Sequence, residues 1–138
     1  MRLLLDTNVP MEVLLHQDRE SEARQVLANR AGHDLYLAAF SLNSIGVILF
    51  RRNLHLAFTD FVADMLESGR LALISLPADA MRGLADTAVA LSLDFDDAYQ
   101  YVAAEQHGLD IVSYDAHFDH TPKARQTPGQ VLARLGQQ

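Results

Sequence analysis

Aspartate falls at three places in this 138-residue chain where an acid could do chemistry. Asp6 ends the apolar run RLLL and is followed by two small polar residues, Thr7 and Asn8. Asp94, Asp96 and Asp97 fall together in LDFDDAYQY, and Asp115 closes the run IVSYD. Carboxylates that converge on one point repel one another and are costly to ionise together unless a cation neutralises them. Magnesium and manganese want hard oxygen ligands of this kind. An ion so held can activate water and offset the charge that builds up in phosphodiester cleavage. Each acid also has a structural reading. Asp6 and Asp115 suit turns, and Asp94 to Asp97 suit a helix cap and a first helical turn placed for the dipole. The joint pattern is harder to ascribe to chance than any one acid.

Convergence requires elements that bring these acids together. Arg2–Leu5 reads as a buried strand, and Pro10 suits the first turn of a helix that carries on through Met11–Leu15. Ser21–Arg30 has Ala23, Val26 and Leu27 at helical spacing, with Gly32 as its stop. Leu35–Ala39 is a second strand. Helical periodicity follows from Leu42 to Arg52 and again from Leu56 to Leu66, before Ser68–Gly69. Leu71–Leu76 is a third strand, Ala78–Leu93 a helix, and Asp94 a new helix start running to Gly108. Ile111–Tyr114 is a fourth strand, Ala124–Gln126 a weak fifth, and Thr127–Pro128 opens a last helix. Strands alternating with helices imply right-handed βαβ crossovers and a parallel sheet covered on both faces. In such a sheet Asp6, the Asp94–Asp97 group and Asp115 share the carboxyl edge, where ligands bind at a switch in strand order.

Composition narrows the classes. Hydrophobic residues make up 49% and charged residues 21%, the balance of a folded globule, and the length suits one domain over residues 1–138. The absence of cysteine removes disulfides, zinc–thiolate sites and cysteine nucleophiles. A net charge of −7 gives no overall field to attract nucleic acid, so a phosphate partner needs a local basic patch or bound divalent cations. The apolar start before Asp6 is too short for a signal peptide and no stretch is long enough to span a membrane, so a cytoplasmic protein is expected.

The segments LLLDTN, DDAYQYVAAE, VSYDAHFD and TPGQVL, in this order over nearly the whole chain, resemble the PIN-domain ribonucleases. The resemblance implies a three-layer α/β/α fold around a parallel sheet and a Mg²⁺- or Mn²⁺-dependent endoribonuclease. It also implies the toxin role of a toxin–antitoxin pair, with RNA as substrate, an antitoxin protein as partner, and a homodimer. By the same match Asp6, Asp97 and Asp115 are the catalytic metal ligands. Asn8 and Ser113 support them, and Asp119 falls where some members carry a further acid. One position departs: the family's glutamate after the second strand is replaced here by Ser44, and no acid occurs between Asp34 and Asp60. Loss of a carboxylate weakens metal affinity. Three readings stand: a weak or vestigial site in a binding or regulatory protein, a charge supplied by Asp94 or Asp96, or a site for which three acids suffice.

Arg51 and Arg52 are the only paired bases. Arg51, seven residues after Ser44, shares its helix face and could reach an RNA phosphate; as a helix C-terminal cation it could equally serve the dipole. His117 and His120 read as surface loop residues, and Tyr99 and Tyr101 as packing residues. Two other Asp-first classes fit poorly. Haloacid-dehalogenase phosphatases need a lysine near their later acids, and the only lysine, Lys123, comes after Asp119. Response-regulator receivers need an aspartate directly after the third strand, where this chain has LISLPAD.

Overall fold

The computed structural model describes residues 1–135. Five strands form one parallel sheet: β1 (Arg2–Leu5), β2 (Asp34–Ala38), β3 (Leu71–Ile74), β4 (Asp110–Val112) and β5 (Arg125–Gln126). Seven α-helices surround it: α1 (Asn8–Leu14), α2 (Glu20–Ala28), α3 (Ala39–Arg51), α4 (His55–Phe61), α5 (Met81–Leu91), α6 (Phe95–His107) and α7 (Pro128–Leu135). The expected three-layer α/β/α fold with a central parallel sheet is the observed one.

Alternation along β1 explains the layers. Leu3, Leu4 and Leu5 are all inaccessible to solvent, but successive side chains point to opposite faces. Leu3 and Leu5 join a core with Val9, Ala23, Val26, Ile45, Leu49 and Val131, contributed by α1, α2, α3 and α7. Leu4 joins the other core, with Leu84 of α5 and Ala98, Tyr101, Ala103 and Ala104 of α6. A strand covered on both faces has no reason to alternate in polarity, which is why it reads as an unbroken leucine run.

Strand order is β3-β2-β1-β4-β5. The chain therefore builds outward from β1 in one direction, then returns to the other side of β1. The loops that leave β1 and β4 diverge there, and the order reverses between these two strands. Asp6 donates its backbone N–H to Val112 O at 2.9 Å, fastening the two strand ends at the switch point.

Several elements differ from the sequence reading: β3 stops at Ile74 instead of Leu76, and the stretch expected as one helix from Ala78 to Leu93 opens with a 3-10 turn over Ala78–Ala80 before α5. The helix expected from Leu56 to Leu66 continues to Glu67, but Val62–Glu67 winds as a π-helix. β4 stops at Val112 rather than Tyr114, because β1 ends opposite Val112 and Ser113 turns its side chain toward Asp6. α6 keeps its expected limits for local reasons. Asp94 caps its start, accepting the Asp97 N–H at 3.0 Å, and Gly108 ends it at φ 64°, a left-handed conformation that costs glycine little. Among the described residues no helix is long and apolar enough to cross a membrane.

Candidate active site

A cleft of about 500 Å³ opens at the carboxyl edge of β1 and β4. Asp6, Asn8, Ser44, Asp94, Asp96, Asp97 and Asp115 line it, joined by Gln100 and Arg52. Helices in βαβ units run antiparallel to the strands, so the starts of α3 and α6 arrive at this edge with Phe40, Ser44 and the Asp94–Asp97 group.

The floor is a hydrogen-bonded knot between the first and fourth strand ends. Asp6 is 7% exposed, and its carboxylate accepts four bonds. Oδ1 takes the Thr7 N–H at 2.7 Å and Gln100 Nε2 at 2.8 Å; Oδ2 takes the Ser113 hydroxyl at 2.7 Å and Asn8 Nδ2 at 3.3 Å. Ser113 is fully buried and also accepts from Asn8 Nδ2 at 3.0 Å and from the Asp115 N–H at 2.9 Å. Asn8 reaches Asp115 Oδ2 at 3.4 Å and accepts the Tyr114 N–H at 3.2 Å. The D-T-N and S-Y-D segments thus hold each other in place.

Above the floor the charges are poorly compensated. Asp97 is half-buried, and its carboxyl is pushed up to about 6, chiefly by burial and then by Asp94; His117, whose Nδ1 lies 3.0 Å from Asp97 Oδ2, pulls the other way. Asp96 is raised as well, by burial first and then by Asp94 and Asp6. Like charges gathered in a partly dry cleft favour either a proton or a cation.

The donor set suits a hard divalent ion: several carboxylates, no thiolate, and one free carbonyl oxygen. That oxygen is Gln100 Oε1, buried without a hydrogen-bond partner. Among the described residues no three carboxylate or imidazole groups are drawn into a finished cage. The acids stand around the cleft, as uncompensated like charges do.

Two of the residues singled out in the sequence lie elsewhere. Asp119 pairs with Arg125, Oδ1 to Nε at 3.0 Å and Oδ2 to Nη2 at 3.3 Å, away from the cleft. Arg51 sits with Leu42, Val47, Phe50 and Phe58 on another face, while Arg52 lines the cleft. Residues four apart form the helix row that faces the acids here, namely Ser44, Ile48 and Arg52; Arg51 falls on the neighbouring row behind Val47. Sequence reasoning missed Arg52, Gln100 and the contact of His117 with Asp97. Gln100 was detectable as a polar residue one turn beyond Asp97 on the apolar side of α6; the His117 contact depends on a loop path with no local signal.

The class defined here is a parallel α/β/α domain with an acid-lined cleft at the switch in its strand order. The PIN-domain profile matches residues 3–124, and the chain belongs to that family. Solved structures agree on the fold. VapC20 of Mycobacterium tuberculosis, described as a Sarcin-Ricin loop cleaving toxin, superposes with a TM-score of 0.73 at 17% identity, covering 90% of this chain and 98% of that one. VapBC2 of Rickettsia felis, solved on a DNA fragment from its promoter, gives 0.70 at 14% identity over 92% and 98%. A toxin–antitoxin complex from Klebsiella pneumoniae gives 0.68 at 20% identity over 91% and 97%. No curated protein sequence matches the chain significantly.

Proposed function

We propose that this protein is a divalent-cation-dependent endoribonuclease, the toxin of a toxin–antitoxin pair. The observation that carries the reading is the single cleft shared by Asp6, Asp97 and Asp115 at the switch between β1 and β4. These three carboxylates would hold one or two Mg²⁺ or Mn²⁺ ions, with Asp94 and Asp96 adding charge beside them. When bound, such an ion lowers the pKa of water and offsets the charge on the phosphodiester. The chain's own part is positioning. Asn8 and Ser113 fix the orientation of Asp6 and steady Asp115, and the floor they form excludes water from the strand ends. Arg52, a base at the cleft wall, suits contact with an RNA phosphate in a protein whose overall charge is repulsive.

The toxin role is supported by the family and by neighbours described as toxins or toxin–antitoxin complexes. An antitoxin protein is then the natural partner. Exposed Val47, Phe50 and Leu56 on α3 and α4 support a homodimer, to be checked by light scattering.

A second reading keeps the fold and drops the catalysis. Ser44 favours it: the residue lines the cleft, yet brings no charge, and its hydroxyl donates back to Phe40 O at 3.3 Å. RNA cleavage in Mn²⁺ by wild type, Asp6→Asn and Asp115→Asn separates the two. Cleavage by wild type alone is expected; equal activity in all three, or none in well-folded wild type, leaves the binding reading.

A further inference from the structure

Gln100 lies three residues after Asp97 on α6, on the side of the helix that meets the sheet. Its neighbours Ala98, Tyr99, Tyr101, Ala103 and Ala104 are all buried, and so is Gln100 itself, at 3% exposure. One end of its amide has a clear task, since Nε2 donates to Asp6 Oδ1 at 2.8 Å. This bond also fixes which way the amide faces, because the reversed amide would set two oxygens against each other. The other end, Oε1, is left buried with no partner. A buried acceptor without a donor bears its full desolvation penalty. An apolar side chain of similar size would avoid that penalty in this stretch of core. The oxygen belongs to a residue that lines the acid cleft, next to Asp6, Asp97 and Asp115.

The same cleft lacks a carboxylate at Ser44, whose hydroxyl is turned to its own helix backbone. We propose that Gln100 Oε1 is an oxygen ligand of the cation held in this cleft, standing in for the acid absent at position 44. The inference rests on the metal-dependent reading above. An amide carbonyl supplies a hard oxygen without a further negative charge, and amide and backbone carbonyls are ordinary ligands of hard divalent ions. Gln100 would then serve the site twice: its N–H₂ holds Asp6 and its C=O meets the ion. The result is a site of lower charge and weaker affinity than one with four acids.

Calorimetric titration with Mn²⁺ alone, on the metal-free full chain, tests this. Three proteins are compared: wild type, Gln100→Leu and Gln100→Glu. Thermal unfolding in EDTA and in Mn²⁺ runs alongside to verify folding. The expected result is a Kd about tenfold weaker in Gln100→Leu and about tenfold tighter in Gln100→Glu. In EDTA, Gln100→Glu unfolds below wild type, because its carboxylate faces Asp6, and Mn²⁺ raises its Tm more than it raises that of wild type. Equal Kd values in wild type and Gln100→Leu overturn the proposal and leave the metal-dependent reading intact. Binding by Gln100→Glu as weak as that of Gln100→Leu also overturns it, since only the N–H donor to Asp6 then matters. No Mn²⁺ binding by folded wild type overturns the metal-dependent reading, and this inference with it.

Discussion

The side-chain N–H₂ of Asn8 stands 3.4 Å from the Asp115 carboxylate, 107 residues away in the chain, and 3.3 Å from that of Asp6. One neutral donor separates two acids. Replacing it by a carboxylate removes that donor and puts a third like charge between them. Asn8→Asp is expected to lower Tm in EDTA by roughly 8 °C, from about 2 kcal/mol of lost bonding and added repulsion. Excess Mn²⁺ should recover much of the loss. Differential scanning calorimetry in the two buffers reads both effects, and a Tm unchanged in EDTA would contradict the role assigned to Asn8.

Asp97 sets a pH dependence. Its carboxyl is raised from the ordinary 3.8 to about 6, by burial first and Asp94 next. The folded protein therefore keeps a proton that the unfolded chain has released between these pH values. The folded state binds more protons there, so this group's contribution to stability falls as pH rises from about 3.8 through about 6. Asp97→Asn removes the charge. It is expected to raise Tm by roughly 3 °C at pH 7.5 without metal, and by nothing measurable at pH 4. Loss of the His117 contact offsets part of the gain. A Tm rise of the same size at both pH values would point to packing instead of charge.

The two adjacent arginines should behave differently. Arg52 lines the cleft and Arg51 does not. Fluorescence anisotropy with a short single-stranded RNA, at several salt concentrations, should show weaker binding by Arg52→Ala and a salt slope reduced by about one. Arg51→Ala should leave both unchanged. The reverse pattern would move the RNA path to the α3–α4 face.

Ser44 offers a gain-of-function test. Its side chain already lines the cleft, so a longer acid there reaches the same space. Ser44→Glu is expected to tighten Mn²⁺ binding by about tenfold in calorimetry, through one added hard ligand. Unchanged affinity would mean that another group already fills the position.

The strands and most helices were legible because their limits have local causes. Three leucines buried on both faces announce β1, and Asp94 and Gly108 mark the ends of α6 by capping chemistry. The acids were legible as strand-end and helix-start residues, which topology alone delivers to one edge. Val62–Glu67 carries no residue that marks a π-helix, so its winding was not readable. Nor was the choice between Arg51 and Arg52, since one residue on a helix turns the side chain by about 100° and the row facing the cleft is set by tertiary packing. Gln100 had a local signal, a polar residue one turn beyond Asp97 among buried alanines and tyrosines, but its bond to Asp6 spans 94 residues and has no mark in the sequence.

The knot between Asp6 and Ser113 also carries a consequence for the order of synthesis. The first acid emerges from the ribosome early, but β1 gains its β4 neighbour only when Asp110–Val112 have been made, and Ser113 and Asp115 follow. Until then the chain can pair β1 with β2 but has no second wall for the cleft. A growing chain thus holds Asp6 in place before the groups that complete the cleft around it exist. Whatever this cleft does must wait until Ser113 and Asp115 have been made and have met Asp6 and Asn8.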